Sequence, residues 1–261
     1  MKIYDLSQPL NQDVPFWPFY PPFEVKYIKR KSEHGVNAQY IMTSNHMGTH
    51  LDAPRHFVTA GKTIDQLPLE WLWGEGVIVD LSDMLDELAI FRPEDIEKRA
   101  EVRQGDILFI HTGWHKHSQF GTEPDEEKYI QRHPGPHHSI VPWLLEKKIH
   151  LWGVDMVSTD HPMNLPIGRF LGKGGLEHWA KVRARTEAKF GGADKVNELF
   201  PEDAYQLTHN ALFPADCFHV ENMGGQISDP ALHNRRITLG AFPWLFKGGE
   251  AAFCRAVAWT D

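Results

Sequence analysis

Four side chains of the kind that bind metals fall within eleven consecutive positions of the segment Ser44 to Gly61, SNHMGTHLDAPRHFVTAG. They are His46, His50, Asp52 and His56. Imidazole and carboxylate are the ligands a first-row divalent metal takes when no thiolate is offered. Gly48, the β-branched Thr49 and Pro54 all resist a helix interior, so the segment reads as extended. On an extended chain, residues at even offsets share a face. The spacing therefore predicts that His46, Gly48, His50 and Asp52 point the same way, with Gly48 leaving room for an ion. Pro54 is expected to end the strand and to put His56 on the turn beyond it. A histidine-rich surface loop is the bland alternative, and four groups in phase around a glycine argue against it.

The rest of the chain narrows the class. Its 261 residues suffice for one large domain. Lys and Arg number 27 against 35 Asp and Glu, a net charge of -8, which disfavours binding to a phosphate backbone. No nucleic-acid partner is expected. Met1 to Pro15 is polar and does not read as a signal peptide. No apolar run approaches a membrane span, so no membrane partner is expected either. Cys217 and Cys254 make no disulfide framework and fit a reducing cytosol, so a cytoplasmic location is expected.

Taken in order, Lys2 to Leu10 reads as a short strand, followed by an arm rich in Pro and aromatics, DVPFWPFYPPF. The arm packs on the core or on a second subunit, and a homodimer or homotetramer is expected. Its sharper reading places Trp17, with Phe16 and Tyr20 beside it, as the wall of an aromatic pocket, because such rings are large and stiff. Phe23 to Arg30 and Asn37 to Ser44 read as strands, the second feeding the histidine segment. GVIVDLSD, Gly105 to Gly113 and His150 to Ser158 read as further strands. Helices are expected over Pro93 to Ala100 and over Ile140 to Lys147, the latter capped by Ser139. Strands alternating with few helices suggest a mixed α/β domain. Met163 to Gln206 is different in texture: Gly-rich, then helical, then charged. It reads as a helical insertion at about 163–206, serving either as a lid hinged on Gly172, Gly174 and Gly175 or as a subunit contact. Near the end, Cys217 to Val220 reads as a strand delivering Glu221, with His209 twelve residues earlier.

The stretch HMGTHLDAPRH resembles the HxGTHxDxPxH signature of the metal-dependent cyclase-like hydrolases, the family of the bacterial kynurenine formamidases and isatin hydrolases. The resemblance implies a compact mixed-sheet swivelling β/β/α fold for 1–261. It implies an aromatic at Trp17 that contacts substrate. It implies that His209 and Glu221, at matching separation, complete the metal site. It also implies that His56 is a catalytic histidine; its alternative is a further metal ligand.

Five ligands, His46, His50, Asp52, His209 and Glu221, suffice for two ions if a carboxylate bridges, or for one. The all-N/O set suits zinc or manganese, and spacing does not choose between them. Water on such a metal is acidified, and a nearby histidine off the metal can carry its proton to a leaving nitrogen. The expected activity is therefore cleavage of the C–N bond of a small aryl formamide or cyclic amide, the small-molecule substrate. Two alternatives remain. One is an Fe(II) oxygenase using His50, Asp52 and a distant His; the other is a non-catalytic metal-binding protein on the same fold. His115 and His117 read as surface or supporting groups, His137 and His138 as solvated, and His219 as a packed structural residue. Asp155 and Asp160 are candidates for orienting ligand histidines.

Overall fold

The computed structural model describes residues 1–14, 17–18, 20–170 and 181–260. The sequence-derived reading of Phe16 and the proposed glycine hinges at 172, 174 and 175 fall outside these residues. Twelve strands are present among the described residues: β1 (Lys2–Asp5), β2 (Glu24–Lys29), β3 (Ala38–Met42), β4 (His50–Asp52), β5 (Trp73–Asp80), β6 (Ile90–Phe91), β7 (Ile107–His111), β8 (Gly135–Pro136), β9 (Leu151–Val154), β10 (Phe218–Glu221), β11 (Arg236–Pro243) and β12 (Ala251–Thr260).

The main sheet runs β1-β12-β11-β5-β7-β9-β10-β4, and β4 pairs again with β12. The long β12 makes this closure possible. Its Val257 to Thr260 end pairs with β1, while Ala251 to Phe253 pairs with β4. Seven strands therefore close into a barrel-like ring, with β1 as a branch. Within the ring β5, β7, β9 and β10 run parallel, and β4, β11 and β12 supply the antiparallel pairs. Parallel strands buried on both faces read as continuous apolar runs, which is why ILFI and VIV carry no polar alternation. The alternation is instead between two cores. Ile78, Phe109, Leu151 and Val220 belong to one, and Val79, Ile110, Trp152 and Val154 to the other, which helices cover through Ile96, Tyr129, Ile140 and Leu144. β2 and β3 form a separate hairpin that leaves Tyr27, Ile28, Tyr40 and Ile41 exposed.

Three local expectations need correction. The helix after Pro93 ends at Glu97, its first turn closed by Asp95 accepting from the Arg92 N–H. Helix Ile140–Glu146 exists, but Ser139 does not cap it. Ser139 sits in the helical region of backbone space, and its Oγ meets His137 Nδ1 at 2.9 Å instead. The segment before β4 is not extended, because Gly48 has φ +59 and breaks the register. A Cβ at Gly48 would lie 3.1 Å from Leu10 Cδ1. The glycine therefore makes a left-handed turn beneath the N-terminal arm and does not clear space for an ion.

In the excursion, helices Lys181–Phe190 and Ala193–Leu199 build a small core of Met163, Val182, Val196 and Phe200. Arg169 draws its roots together, donating to the carbonyls of Met163 and Pro201, each at 2.7 Å.

Candidate metal centre

β4 is three residues long, buried throughout, and hydrogen-bonded on both sides, by β10 and by β12. Leu51 turns into the same core as Val220, so His50 and Asp52 must face the other way. The antiparallel register sets His50 opposite Glu221 and Asp52 opposite His219. Cross-strand neighbours on one face lie within side-chain reach. Accordingly His50 Nε2 is 3.3 Å from Asp52 Oδ1 and 3.8 Å from Glu221 Oε2. His209 comes from helix Leu207–Leu212, and its Nε2 lies 3.8 Å from Glu221 Oε1. Two remote segments thus meet through one strand pairing.

The hydrogen bonds around these groups prepare them for a cation. His50 Nδ1 donates to the Gly48 carbonyl at 2.8 Å, which leaves Nε2 as a bare lone pair. That Nε2 is buried without a hydrogen-bond partner, 3.3 Å from Asp52 Oδ1. A buried imidazole lone pair left unpaired is costly unless a cation shares it. Burial lowers His50 to about 4, so it stays neutral, the form a metal needs. His209 Nδ1 donates to Asp160 Oδ2 at 2.8 Å, the carboxylate–histidine arrangement that orients a ligand imidazole. Burial, and then the charge of Asp52, push Glu221 up to about 7. His46 offsets the charge of Asp52 on one side, while Glu221 has no such partner of its own. The donor set therefore suits a divalent metal, held by N and O atoms without thiolate.

His46 stands differently. Its Nδ1 is 3.0 Å from Asp52 Oδ1 and its Nε2 is 2.9 Å from Glu250 Oε2. Burial opposes its charge, but Asp52 and Glu250 outweigh burial and raise it to about 10. To ligate, His46 has to yield a proton that His50 does not carry. His56 follows on the short turn Pro54–His56, and its Nδ1 meets Glu250 Oε2 at 2.8 Å. Glu250, at the foot of β12, thus ties the two histidines together. Sequence reasoning missed it, since nothing in KGGEAAF marks that glutamate; the closure of β12 on β4 brings it in.

Beside these groups lies a cavity of about 250 Å³. Trp17 and Tyr20 from the arm, Phe57, and Leu165 and Gln206 from the two roots of the excursion are among its walls. The Tyr20 ring is 5.5 Å from that of His46. His219 is fully buried, as a packed residue would be, yet its Nε2 reaches Asp52 Oδ2 at 3.4 Å and Glu221 Oε1 at 3.5 Å. Asp160 orients His209, whereas Asp155 serves a different cluster with His115. His117 is buried and His115 partly exposed, so of the two readings, surface or supporting, the structure favours the supporting one, with His115 held by Asp155. His138 is exposed and His137 half-buried.

A pH dependence follows from Glu221. Its folded pKa lies above the unfolded value, so in the metal-free protein its proton favours the fold at low pH. That contribution is lost as pH rises toward 7. A metal replaces the proton, so the rise in Tm on adding Mn2+ or Zn2+ should grow between about pH 5.5 and about pH 8. Thermal melts with and without metal across that range check it; a constant or shrinking gain would contradict it.

Comparison with known proteins gives the family and the fold. The profile of the putative cyclase family matches residues 4–161. The kynurenine formamidase of Bacillus cereus (strain ATCC 10987 / NRS 248) is 35% identical over 161 residues, covering 60% of this chain and 69% of its own. That of Bacillus anthracis is 35% identical over 165 residues, covering 61% and 70%. Among solved structures, isatin hydrolase A from Ralstonia solanacearum shares the fold, with TM-score 0.74 over 98% of this chain and 91% of that one at 19% identity. A structure described as a potential metal-dependent hydrolase with cyclase activity gives TM-score 0.63 at 21% identity, over 98% and 96%. The family match contains the first histidine segment, while His209 and Glu221 stand on the strand register. With the profile spanning well over half of its length, the chain belongs to the putative cyclase family.

Proposed function

We propose that this protein hydrolyses the C–N bond of a small aryl formamide or a cyclic amide at the β4–β10 centre. The observation that carries the proposal is the convergence of His50, Asp52, His209 and Glu221 around the unpaired His50 Nε2, beside a cavity walled by Trp17 and Tyr20. The relatives named above are a formamidase and an isatin hydrolase, so both kinds of amide bond fit. His50, Asp52, His209 and Glu221, with His46 after it loses its proton, would hold one or two ions of zinc or manganese. Asp52 and Glu221 are the candidates to bridge two ions, because a carboxylate has two oxygens to share. A bound divalent metal supplies an acidified water and polarises the substrate carbonyl.

The remaining work falls to the chain. Glu250 accepts the His56 Nδ1–H and leaves Nε2 as the base that takes the attacking water's proton. The same Nε2–H then donates to the departing nitrogen. Tyr20 is held as a neutral hydroxyl, raised to about 12 by burial and then by Asp52 and Glu250. It is thus available as a donor, not a competing base. The aromatic walls and the cavity's volume suit a single small ring.

A screen of formyl-anilides, isatin and cyclic imides with metal-reconstituted protein tests the proposal. Turnover without oxygen supports it; oxygen consumption would move the site to the Fe(II) class. That reading leaves Glu221 idle, and among the described residues no arginine lines the cavity to hold an oxo-acid. Trp17→Ala should weaken aromatic substrates by roughly tenfold or more in kcat/KM and leave a small formamide nearly unchanged. Equal loss on both would make the arm purely structural. The exposed apolar hairpin of β2 and β3 supports a homo-oligomer, which light scattering on the purified protein tests directly.

A further inference from the structure

A second group of histidines and carboxylates closes the carboxyl ends of β5, β7 and β9. Asp80 ends β5, His111 ends β7, and Asp155 follows β9. His115 sits on the short turn Trp114–His117 just beyond β7. The carboxyl ends of adjacent parallel strands are where α/β sheets gather their ligands.

The hydrogen bonds again leave one imidazole nitrogen free beside a carboxylate. His111 Nδ1 donates to Asp80 Oδ1 at 2.9 Å, so Nε2 is the ring nitrogen left to meet a cation. The His111 side chain is only 6% exposed, and its Nε2 is buried without a hydrogen-bond partner. The group it faces is Asp155 Oδ2, 3.9 Å away. That is too far for a hydrogen bond and leaves room for an ion between the two atoms. Asp155 is fully buried and fixed, its Oδ1 accepting from the Thr112 N–H at 2.8 Å and the Thr112 hydroxyl at 2.6 Å. Its Oδ2 also meets His115 Nδ1 at 2.9 Å. One donor atom from each of His111, His115 and Asp155 lies within 4.8 Å of the others. His111 and His115 border a cavity of about 850 Å³, which provides an entry path and room for exchangeable water.

We propose that His111, His115 and Asp155 form a second divalent-cation site, of the zinc and cobalt class, with Asp80 orienting His111. Two imidazoles and one carboxylate are a complete protein shell for such a metal, with the remaining position open to the cavity. The Asp80–His111 pair repeats the Asp160–His209 device of the first centre. No residue is shared between the two sites, so this inference stands or falls independently of the amide-hydrolysis reading.

The test uses the full chain, stripped by chelation and reloaded with Co2+ as the probe. Anomalous diffraction from Co2+-soaked wild-type crystals should show a peak between His111 Nε2 and Asp155 Oδ2. Equilibrium dialysis with elemental analysis should show H115A binding one Co2+ per chain fewer than wild type. H115A alters a partly exposed side chain on a turn, and it should keep the peak beside His50. A double variant, H50A with H209A, should keep the second peak. Absence of cobalt between His111 and Asp155 in wild-type crystals at saturating Co2+ would overturn the proposal and leave the cluster a histidine–aspartate ion-pair network. Undiminished cobalt content in H115A would overturn it equally.

Discussion

Glu221→Ala is expected to lose bound metal, the metal-dependent part of its thermal stability and turnover together. Glu221 is buried opposite His50 in the β4–β10 register, and His209 approaches its other oxygen. On the proposed reading, removing it would take away a ligand and one of the negative charges that offset the metal. Turnover should fall by at least two to three orders of magnitude, roughly the scale for losing one electrostatic stabiliser of the transition state. The stability loss has a distinctive form. A metal at about a hundredfold excess over its Kd stabilises the fold by about 2.7 kcal/mol, and that increment should vanish. Without metal the variant should not share that deficit, because the wild-type carboxylate is itself disfavoured there by burial and by Asp52. Melting curves of both proteins, with and without metal, separate these effects. A Glu221→Ala protein with full metal content and wild-type turnover would make the second half of the site a coincidence of spacing.

His56→Ala is expected to keep its metal and lose roughly two to four orders of magnitude in kcat, the range for a general acid–base group. His56 is held by Glu250 and not by the acids that surround His50, so its loss leaves the β4–β10 groups in place. KM should change much less than kcat. Loss of metal together with activity would reassign His56 as a ligand. Because Glu250 also meets His46, removal of His56 should be milder for folding than removal of Glu250 itself.

The convergence of the candidate ligands was legible because several of them lie in one short stretch. His50 and Asp52 are two apart on a strand with a core leucine between them, and that pattern survives any tertiary arrangement. Glu221 was legible from the apolar strand that leads to it. Gly48 shows where periodicity fails: an even offset suggested a shared face, but a left-handed turn broke the strand before β4. Glu250 was invisible because its place depends on closure of the ring through β12, a long-range pairing that no local pattern announces. The same holds for His111, Asp155 and His115. Each looks ordinary in its own segment, and only the side-by-side order of β5, β7 and β9 makes them neighbours. The mixed α/β class could be read from alternation of elements, whereas the closed ring could not, since β12 pairs along one edge with two different strands.

Hydrolysis by this chain is expected to depend on a metal held between β4 and β10. The most direct measurement is turnover of a formyl-anilide by wild-type protein, first stripped by chelation and then titrated with Mn2+ or Zn2+, with metal per chain followed by elemental analysis. Stripped protein should show negligible turnover, with recovery in proportion to metal bound and none in His50→Ala at the same metal concentration. Full turnover in stripped protein, or equal recovery in His50→Ala, would contradict it.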